Sequence, residues 1–388
     1  MKVGVLGGGQ LGRMLALAGY PLGLQFRIFD PAPDACAGQV VADHVAAAFD
    51  DQAALRRFAD GLDVVTYEWE NVPVATVRFL QRLVTVYPPV EALEVAQDRF
   101  LEKSLFRKLG IDTAPFAAVE SLAGLRDAVR AVGLPAVLKT RRLGYDGKGQ
   151  YRLQSEGDIA AAWEAVGGAP SILEGFVPFR RELSVLAVRS AAVPAPDLEG
   201  TRRHAAASPA APAGEFEFYA LPENVHRDGI LRVSRAPAPG LDPEMQARAE
   251  DIAALVMEAT GYIGVLAIEL FEHAGRLLAN EMAPRVHNSG HWTIEGAETS
   301  QFENHLRAIC GLPLGPVAAR GHSAMVNLIG SVPDSKAVLR IPGAHLHLYG
   351  KEPRPGRKLG HVTLRADDPA SIEESLSQLL GLIESVGG

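Results

Sequence analysis

The chain has 388 residues, 47% of them apolar and 22% charged, with 46 acidic against 38 basic side chains and a formal charge of −8. This is the composition of an ordinary globular protein of two or three domains, and its acidity excludes an extended nucleic-acid surface. Cys36 and Cys310 are too far apart for a zinc motif or disulfide framework, and no run approaches the roughly 18 apolar residues of a membrane helix.

Glycines stand where a signal peptide would carry its apolar region, so a cytoplasmic protein with no membrane or nucleic-acid partner is expected. Lys2–Leu6 is short, apolar and β-branched, as in a strand buried on both faces. Gly7, Gly9 and Gly12 follow in a G-x-G-x-x-G arrangement, then an amphipathic run from Met14 to Gly19 and a second strand, Leu24–Phe29. The glycines fit either a dinucleotide's pyrophosphate at a helix N-terminus or tight strand–helix packing. A helix over Asp51–Ala59, a strand over Val64–Tyr67, a helix over Val74–Leu83 and a strand over Val84–Tyr87 complete a parallel α/β unit of about 95 residues. Glu68 and Glu70 follow a strand directly, as ligand-gathering groups at its carboxyl end or as solvated loop acids.

Asp98–Leu109 reads as a helix, Phe116–Val119 as a strand, and Ser121 as the cap of a further helix ending at Gly133. The strand Pro135–Lys139 runs into Lys139-Thr-Arg-Arg-Leu-Gly144-Tyr-Asp-Gly-Lys148-Gly-Gln150. This basic glycine loop can close over phosphates or form a solvated hairpin tip, and it lacks the P-loop spacing. Strands follow at Ser171–Phe176, Arg181–Val188 and Phe216–Pro222, with an Ala/Pro-rich surface insertion over Pro194–Gly214. After a helix over Pro243–Thr260, Leu266–Thr293 holds two apolar runs carrying Glu269 and Asn280-Glu281, then Arg285, His287, Asn288 and His291. Hard oxygen ligands on paired strands, followed by cationic groups, suit a metal–nucleotide site beside an anion. Facing Glu269 with Glu281 calls for a three-residue loop, Ala274 to Arg276. A two-residue turn pairs Glu269 with Asn280 and sends the acids to opposite faces. A helix over Ser300–Cys310, strands at Ala324–Ile329, Ala344–Tyr349 and Val362–Arg365, and a helix over Ser371–Ser385 form a small α+β unit. Its basic turn, with Lys351, Arg354, Arg357 and Lys358, either binds an anion or is solvated.

In order, GGGQLGRM (7–14), YEWENVP (67–73), GYDGKGQ (144–150), ENVHRDGI (223–230), NEMAPRVHNSGHWT (280–293) and RPGRKLGH (354–361) resemble the ATP-grasp superfamily, and within it the N5-carboxyaminoimidazole ribonucleotide synthetases. The resemblance implies α/β and α+β architecture: a Rossmann-like pre-ATP-grasp domain over 1–97, an ATP-grasp domain over 98–298 with a lid at about 115–185, and a C-terminal α+β domain over 299–388. It implies an enzyme that uses ATP, with Mg²⁺ or Mn²⁺, to carboxylate 5-aminoimidazole ribonucleotide with bicarbonate through carboxyphosphate, in a homodimer. The ATP contacts carried over are Arg99, Lys139, Gly144, Tyr145, Asp146, Gly147, Lys148, Gly149, Gln150, Glu174, Gly175, Phe176, Val177, Glu182, Asn280 and Glu281. Ribonucleotide contacts fall on Gln10, Leu11, Glu70, Tyr145, Asp146, Arg285, His287, Asn288, Lys351, Arg357 and Lys358. Catalysis is expected of Lys139, Asp146 and Arg285, and metal binding of Glu269 and Glu281. The chain departs from the family at Leu143, where a further glycine is usual, and in the longer insertion at 194–214. Competing readings are a formate-dependent transformylase or another acyl-phosphate ligase, a non-catalytic nucleotide sensor, and a nicotinamide dehydrogenase.

Overall fold

A computed structural model describes residues 1–144, 149–191 and 214–386. The N-terminal unit is β1 (Lys2–Leu6), α1 (Gln10–Gly19), β2 (Gln25–Phe29), β3 (Asp43–Val45), α2 (Gln52–Ala59), β4 (Val64–Tyr67), α3 (Val74–Leu80) and α4 (Val90–Ala96). Its four strands pair in parallel in the order β3-β2-β1-β4. The expected strand over Val84–Tyr87 reduces to a single bridge, Val65 with Val86. Pro88 and Pro89 stop that segment, because proline has no N–H to extend a ladder.

α5 (Arg99–Lys108) leads into β5 (Phe116–Val119), α6 (Leu122–Val132), β6 (Ala136–Thr140), β7 (Gln150–Leu153), α7 (Ile159–Ala165) and β8 (Ser171–Gly175). Ser121 caps its helix as read from the sequence, and Asp51 and Asp98, where the expected helices begin, cap theirs. Asp51 accepts from the Ala54 N–H, Asp98 from Phe100 and Leu101, and Ser121 from Gly124. Each satisfies a donor that the first helical turn leaves open. β5-β8-β6-β7 form a separate antiparallel sheet with its own core around Leu125, Val129, Leu138 and Leu173.

The rest comprises β9 (Arg181–Arg189), β10 (Phe216–Phe218), β11 (Glu223–Arg227), β12 (Ile230–Ala236), α8 (Pro243–Ala259), β13 (Gly264–His273), β14 (Arg276–Ala283), α9 (Thr293–Gly296), α10 (Gln301–Ile309), β15 (His322–Ile329), α11 (Ser335–Val338), β16 (Ala344–Leu348), β17 (Lys358–Ala366) and α12 (Pro369–Val386). The C-terminal strands have no sheet of their own. β15 pairs with β12, so the order β14-β13-β9-β11-β12-β15-β17-β16 is continuous, with β10 on β9. β12 does not stand out in the sequence because Arg232 and Arg235 interrupt its apolar alternation. One face of β9, β13 and β14 packs on α8 through Leu183, Val185, Ile268, Leu270, Met257 and Met282. Among the described residues no helix is long and apolar enough to cross a membrane.

Candidate active site

The glycine turn comes first. Gly7 takes φ +98°, and a Cβ there would lie 2.6 Å from the Glu68 carboxylate. The N–H groups that would cradle a pyrophosphate are already used: Gly8 donates to Asp30 Oδ2 (2.7 Å), and Gly9 and Gly12 donate to Glu68 (2.8 and 3.4 Å). Two of the chain's own acids therefore fill the anion positions, which removes the dinucleotide reading. Glu68 is buried, and Glu70 pairs with Arg285. Neither is a solvated loop acid.

The β13–β14 hairpin corrects the loop expectation while keeping its consequence. Ala274 and Gly275 both have positive φ (49° and 73°), as in a two-residue type I′ turn. From the turn, His273 pairs with Arg276 and Leu270 with Ala279. A bulge then intervenes, and beyond it Glu269 pairs with Glu281 and Ile268 with Met282. Asn280 is the extra residue. One inserted residue reverses which face every later side chain meets, so Glu281 joins Glu269 on the cavity side instead of entering the α8 core. Burial and Glu281 push the Glu269 carboxyl up to about 7. Burial works against Glu281 too, but Arg99, 2.7 Å away, and Lys139 hold it down at about 2. Asn280 Oδ1 is buried with no hydrogen-bond partner. Two facing carboxylates beside a bare amide oxygen form a hard donor set suited to Mg²⁺.

Around this pair lies a cavity of about 630 Å³. Its lining includes Lys139, Gly144, Gln150 and Phe176 from the lid, Arg99 from α5 and Glu182 from β9. Glu174 sits behind Lys139, its Oε2 3.3 Å from both Lys139 and the buried Lys103, and these lysines overcome burial to keep the carboxyl at about 2. Leu143 adopts φ +62°. That backbone region costs a non-glycine residue roughly 1 kcal/mol or more. On the opposite side lie Gln10, Leu11, Glu70, Arg285, His287, Asn288 and Lys358. Lys351 bonds the Gln10 side chain, and Arg357 donates to Glu352 O (3.1 Å). Gly149, Glu174, Gly175, Val177, Lys351 and Arg357 are not part of the cavity wall itself, whereas Asn280, Glu281 and Glu269 are. Tyr145, Asp146, Gly147 and Lys148 lie outside the described residues, as does most of the 194–214 insertion.

The structure adds residues that the sequence reading did not assign. His226 Nδ1 is 2.9 Å from Glu182 and Nε2 is 4.0 Å from Glu269, and ligand atoms of all three lie within 4.8 Å of one another. Burial would lower the His226 pKa, but Glu182 and Glu269 raise it. Phe179 stacks on Phe271 at 4.7 Å and 2°, and both line the cavity. His226 lay in a quoted motif, but only the pairing of β11 with β9 carries it to Glu182.

Several imidazoles are buried uncharged. Burial pushes His305 down to about 3, where its Nδ1 accepts the Val265 N–H (3.1 Å). Burial and Arg285 do the same to His287, and burial also depresses His291 and His361. A lowered histidine pKa stabilises the fold above the unfolded value near 6.5 and progressively less as pH falls toward 3. His305 alone should cost roughly 2 kcal/mol at pH 5. Urea unfolding at pH 7.5 and 5 should therefore show a net loss of stability, with His305, His287, His291 and His361 together outweighing the opposite contribution of Glu269 and Glu102, whose raised carboxyls take up protons over the same interval.

Family profiles match along the chain: the ribonucleotide synthetase preATP-grasp domain over 1–97, the ATP-grasp domain over 104–194 and 209–302, and the phosphoribosylaminoimidazole carboxylase C-terminal domain over 323–375. An N5-carboxyaminoimidazole ribonucleotide synthase from Pseudomonas aeruginosa is 52% identical, covering 99% of this chain and 100% of its own length. A crystal structure of N5-carboxyaminoimidazole ribonucleotide synthetase from Thermus thermophilus superposes with a TM-score of 0.90 at 56% identity, over 98% of each chain. The N5-carboxyaminoimidazole synthase of Aspergillus clavatus, crystallised with ADP and 5-aminoimidazole ribonucleotide, gives 0.87 at 33% identity, covering 99% of this chain and 98% of its own.

Proposed function

The chain belongs to the N5-carboxyaminoimidazole ribonucleotide synthase family, and we propose that the cavity between the lid sheet and the long sheet is where it performs that family's reaction. It is an ATP-grasp ligase of purine biosynthesis, converting 5-aminoimidazole ribonucleotide to the N5-carboxylated ribonucleotide with ATP. The observation that carries the site assignment is the acid pair Glu269–Glu281, with Arg99 and Lys139 on one side and Arg285, His287 and Lys358 on the other, all in one cavity.

In this reading a bicarbonate oxygen attacks the γ-phosphorus, the bond to ADP breaks, and carboxyphosphate forms. The ribonucleotide's amine then takes the carboxyl carbon, phosphate leaves, and the amine proton passes to solvent. Glu269 and Glu281, with Asn280 Oδ1, would hold Mg²⁺, which when bound neutralises charge on the β- and γ-phosphate oxygens. Arg99 and Lys139 position the phosphates. The Arg285 guanidinium, fixed by Glu70 and by its own bond to Val286 O (3.0 Å), faces the developing carboxyphosphate. His287, uncharged at neutral pH, offers a ring nitrogen beside it without adding charge. Lys351, Arg357 and Lys358 form the phosphate end of the ribonucleotide site. Asp146, expected from the family resemblance to be catalytic, is assigned the steering of the amine. Water must be kept from carboxyphosphate, a role that the family resemblance assigns to the sequence segment 144–150. A cytoplasmic homodimer rests on the family resemblance.

ADP formation by the purified protein tests this reading. Full turnover should need both bicarbonate and 5-aminoimidazole ribonucleotide, and formate should not replace bicarbonate. ADP release that follows formate and ignores the ribonucleotide would identify a transformylase instead.

A further inference from the structure

The bulge at Asn280 decides the face on which Glu281 stands, and hairpin pairing alone does not explain why it forms. β14 is the edge of the long sheet, so its outer backbone groups need partners from elsewhere. At the bulge they come from two consecutive residues of α5. Glu102 accepts the Met282 N–H at 2.6 Å, and Lys103 Nζ donates to Ala279 O at 3.0 Å. These two backbone groups bracket Asn280-Glu281. One helical turn earlier on the same face, Arg99 holds the Glu281 carboxylate itself at 2.7 Å. Glu102 and Lys103 are 2% and 1% exposed. Burial and Glu281 push the Glu102 carboxyl up to about 8, and burial lowers the Lys103 ammonium. Titratable side chains at that depth carry a desolvation cost, so a purely stabilising role is a poor use of the position. Lys103 is matched by Glu174, and α5 is fixed at its start by Asp98, which caps the helix and binds Arg141 at 2.8 Å.

We propose that Glu102 and Lys103 are positioning residues that lock the β14 bulge, and thereby hold Glu281 opposite Glu269 on the cavity face. Glu102 also reaches the cavity wall, whereas Lys103 does not. They act through the backbone on either side of the acid. The inference rests on the reading of Glu269 and Glu281 as the metal-binding pair, and the test separates the two.

Mn²⁺ serves as the probe, titrated into the full-length protein with ADP present and followed by electron paramagnetic resonance. Glu102→Leu removes the acceptor and should weaken Mn²⁺ binding roughly 10–100-fold, the range for partners that orient metal ligands. Binding of 5-aminoimidazole ribonucleotide, measured by calorimetry, should change by less than about threefold, because Lys351 and Lys358 reach the site from other elements. Glu102→Gln keeps an oxygen for the Met282 N–H and should recover most of the Mn²⁺ affinity. Amide exchange across 278–283 should be faster in Glu102→Leu than in Glu102→Gln. If Glu102→Leu does not fold, Glu102→Asp, one methylene short of Met282, carries the same comparison. Lys103→Met should reproduce the loss from the Ala279 side. Unchanged Mn²⁺ affinity in the folded Glu102 variant overturns the inference, as does an equal loss in Glu102→Gln. Glu281→Gln is the control. If it too binds Mn²⁺ normally, the metal-pair reading has failed; if it binds weakly while the Glu102 variants do not, only the bulge lock has failed.

Discussion

Replacing Glu281 with glutamine should lower kcat by about 10³-fold, the loss of several kcal/mol of phosphate charge stabilisation. The substitution is isosteric, so β14 and its packing are retained and the effect is electrostatic. Arg99, 2.7 Å away, and Lys139 hold the Glu281 carboxyl down, whereas burial and Glu281 push the Glu269 carboxyl up. Glu281 is therefore the more firmly held charge of the pair. Its removal also strips Arg99 of its 2.7 Å counter-ion, leaving that guanidinium to compete for the nucleotide's phosphates in place of Mg²⁺. Initial rates of ADP formation at saturating bicarbonate and ribonucleotide measure the effect. A rate within about tenfold of the parent would remove Glu281 from the metal site.

Arg285→Lys should lower kcat by about 10²–10³-fold, the cost of losing one aimed donor at a developing anion, while ADP affinity stays close to that of the parent. Lysine keeps the charge but not the planar fork. Arg285 uses that fork twice, once on Glu70 and once on the carbonyl of Val286, which leaves its remaining edge aimed in one direction. A lysine ammonium held by Glu70 cannot reproduce that aim. Because Arg285 lies across the cavity from Lys139 and Arg99, nucleotide binding measured by titration should be spared. A parallel fall in ADP affinity would move Arg285 from the reacting carboxyl to the nucleotide.

Much of this arrangement was legible before any coordinates. The helix starts at Asp51, Asp98, Ser121 and Ser300 are written in single polar residues that satisfy open N–H groups. Lys139 at a strand end and the paired acids of the hairpin declare their chemistry by type and spacing. What stayed hidden depends on distant parts of the chain. A register change of one residue leaves no mark in a pattern of period 2 when the extra residue, Asn280, is itself polar. Glu102 and Lys103 read as ordinary helix-surface residues, and only the approach of edge strand β14 buries them. The same holds for Glu68, whose partners are the N–H groups of Gly9 and Gly12, 59 and 56 residues away. The glycine motif left open a bound anion or tight strand–helix packing. It could not say that the anion belongs to the chain.

Under the proposed site assignment, the continuity of the long sheet through β12 and β15 bears on how the ribonucleotide would be measured. Glu269 on β13 and Lys358 on β17 are five strand steps apart, about 24 Å on a flat sheet. Yet Lys358 acts on the ionisation of Glu269 and both face one cavity, so the sheet curls back on itself. The basic turn and the acid pair are thus two jaws of a single caliper, joined through an unbroken hydrogen-bonded ladder. A hinge of the lid sheet would carry Lys139 and Glu174 with it and leave the gap between those jaws unchanged. Selection for a ribonucleotide of one length would then be built into the curvature of the sheet, and the lid would be left to choose only the moment of phosphoryl transfer.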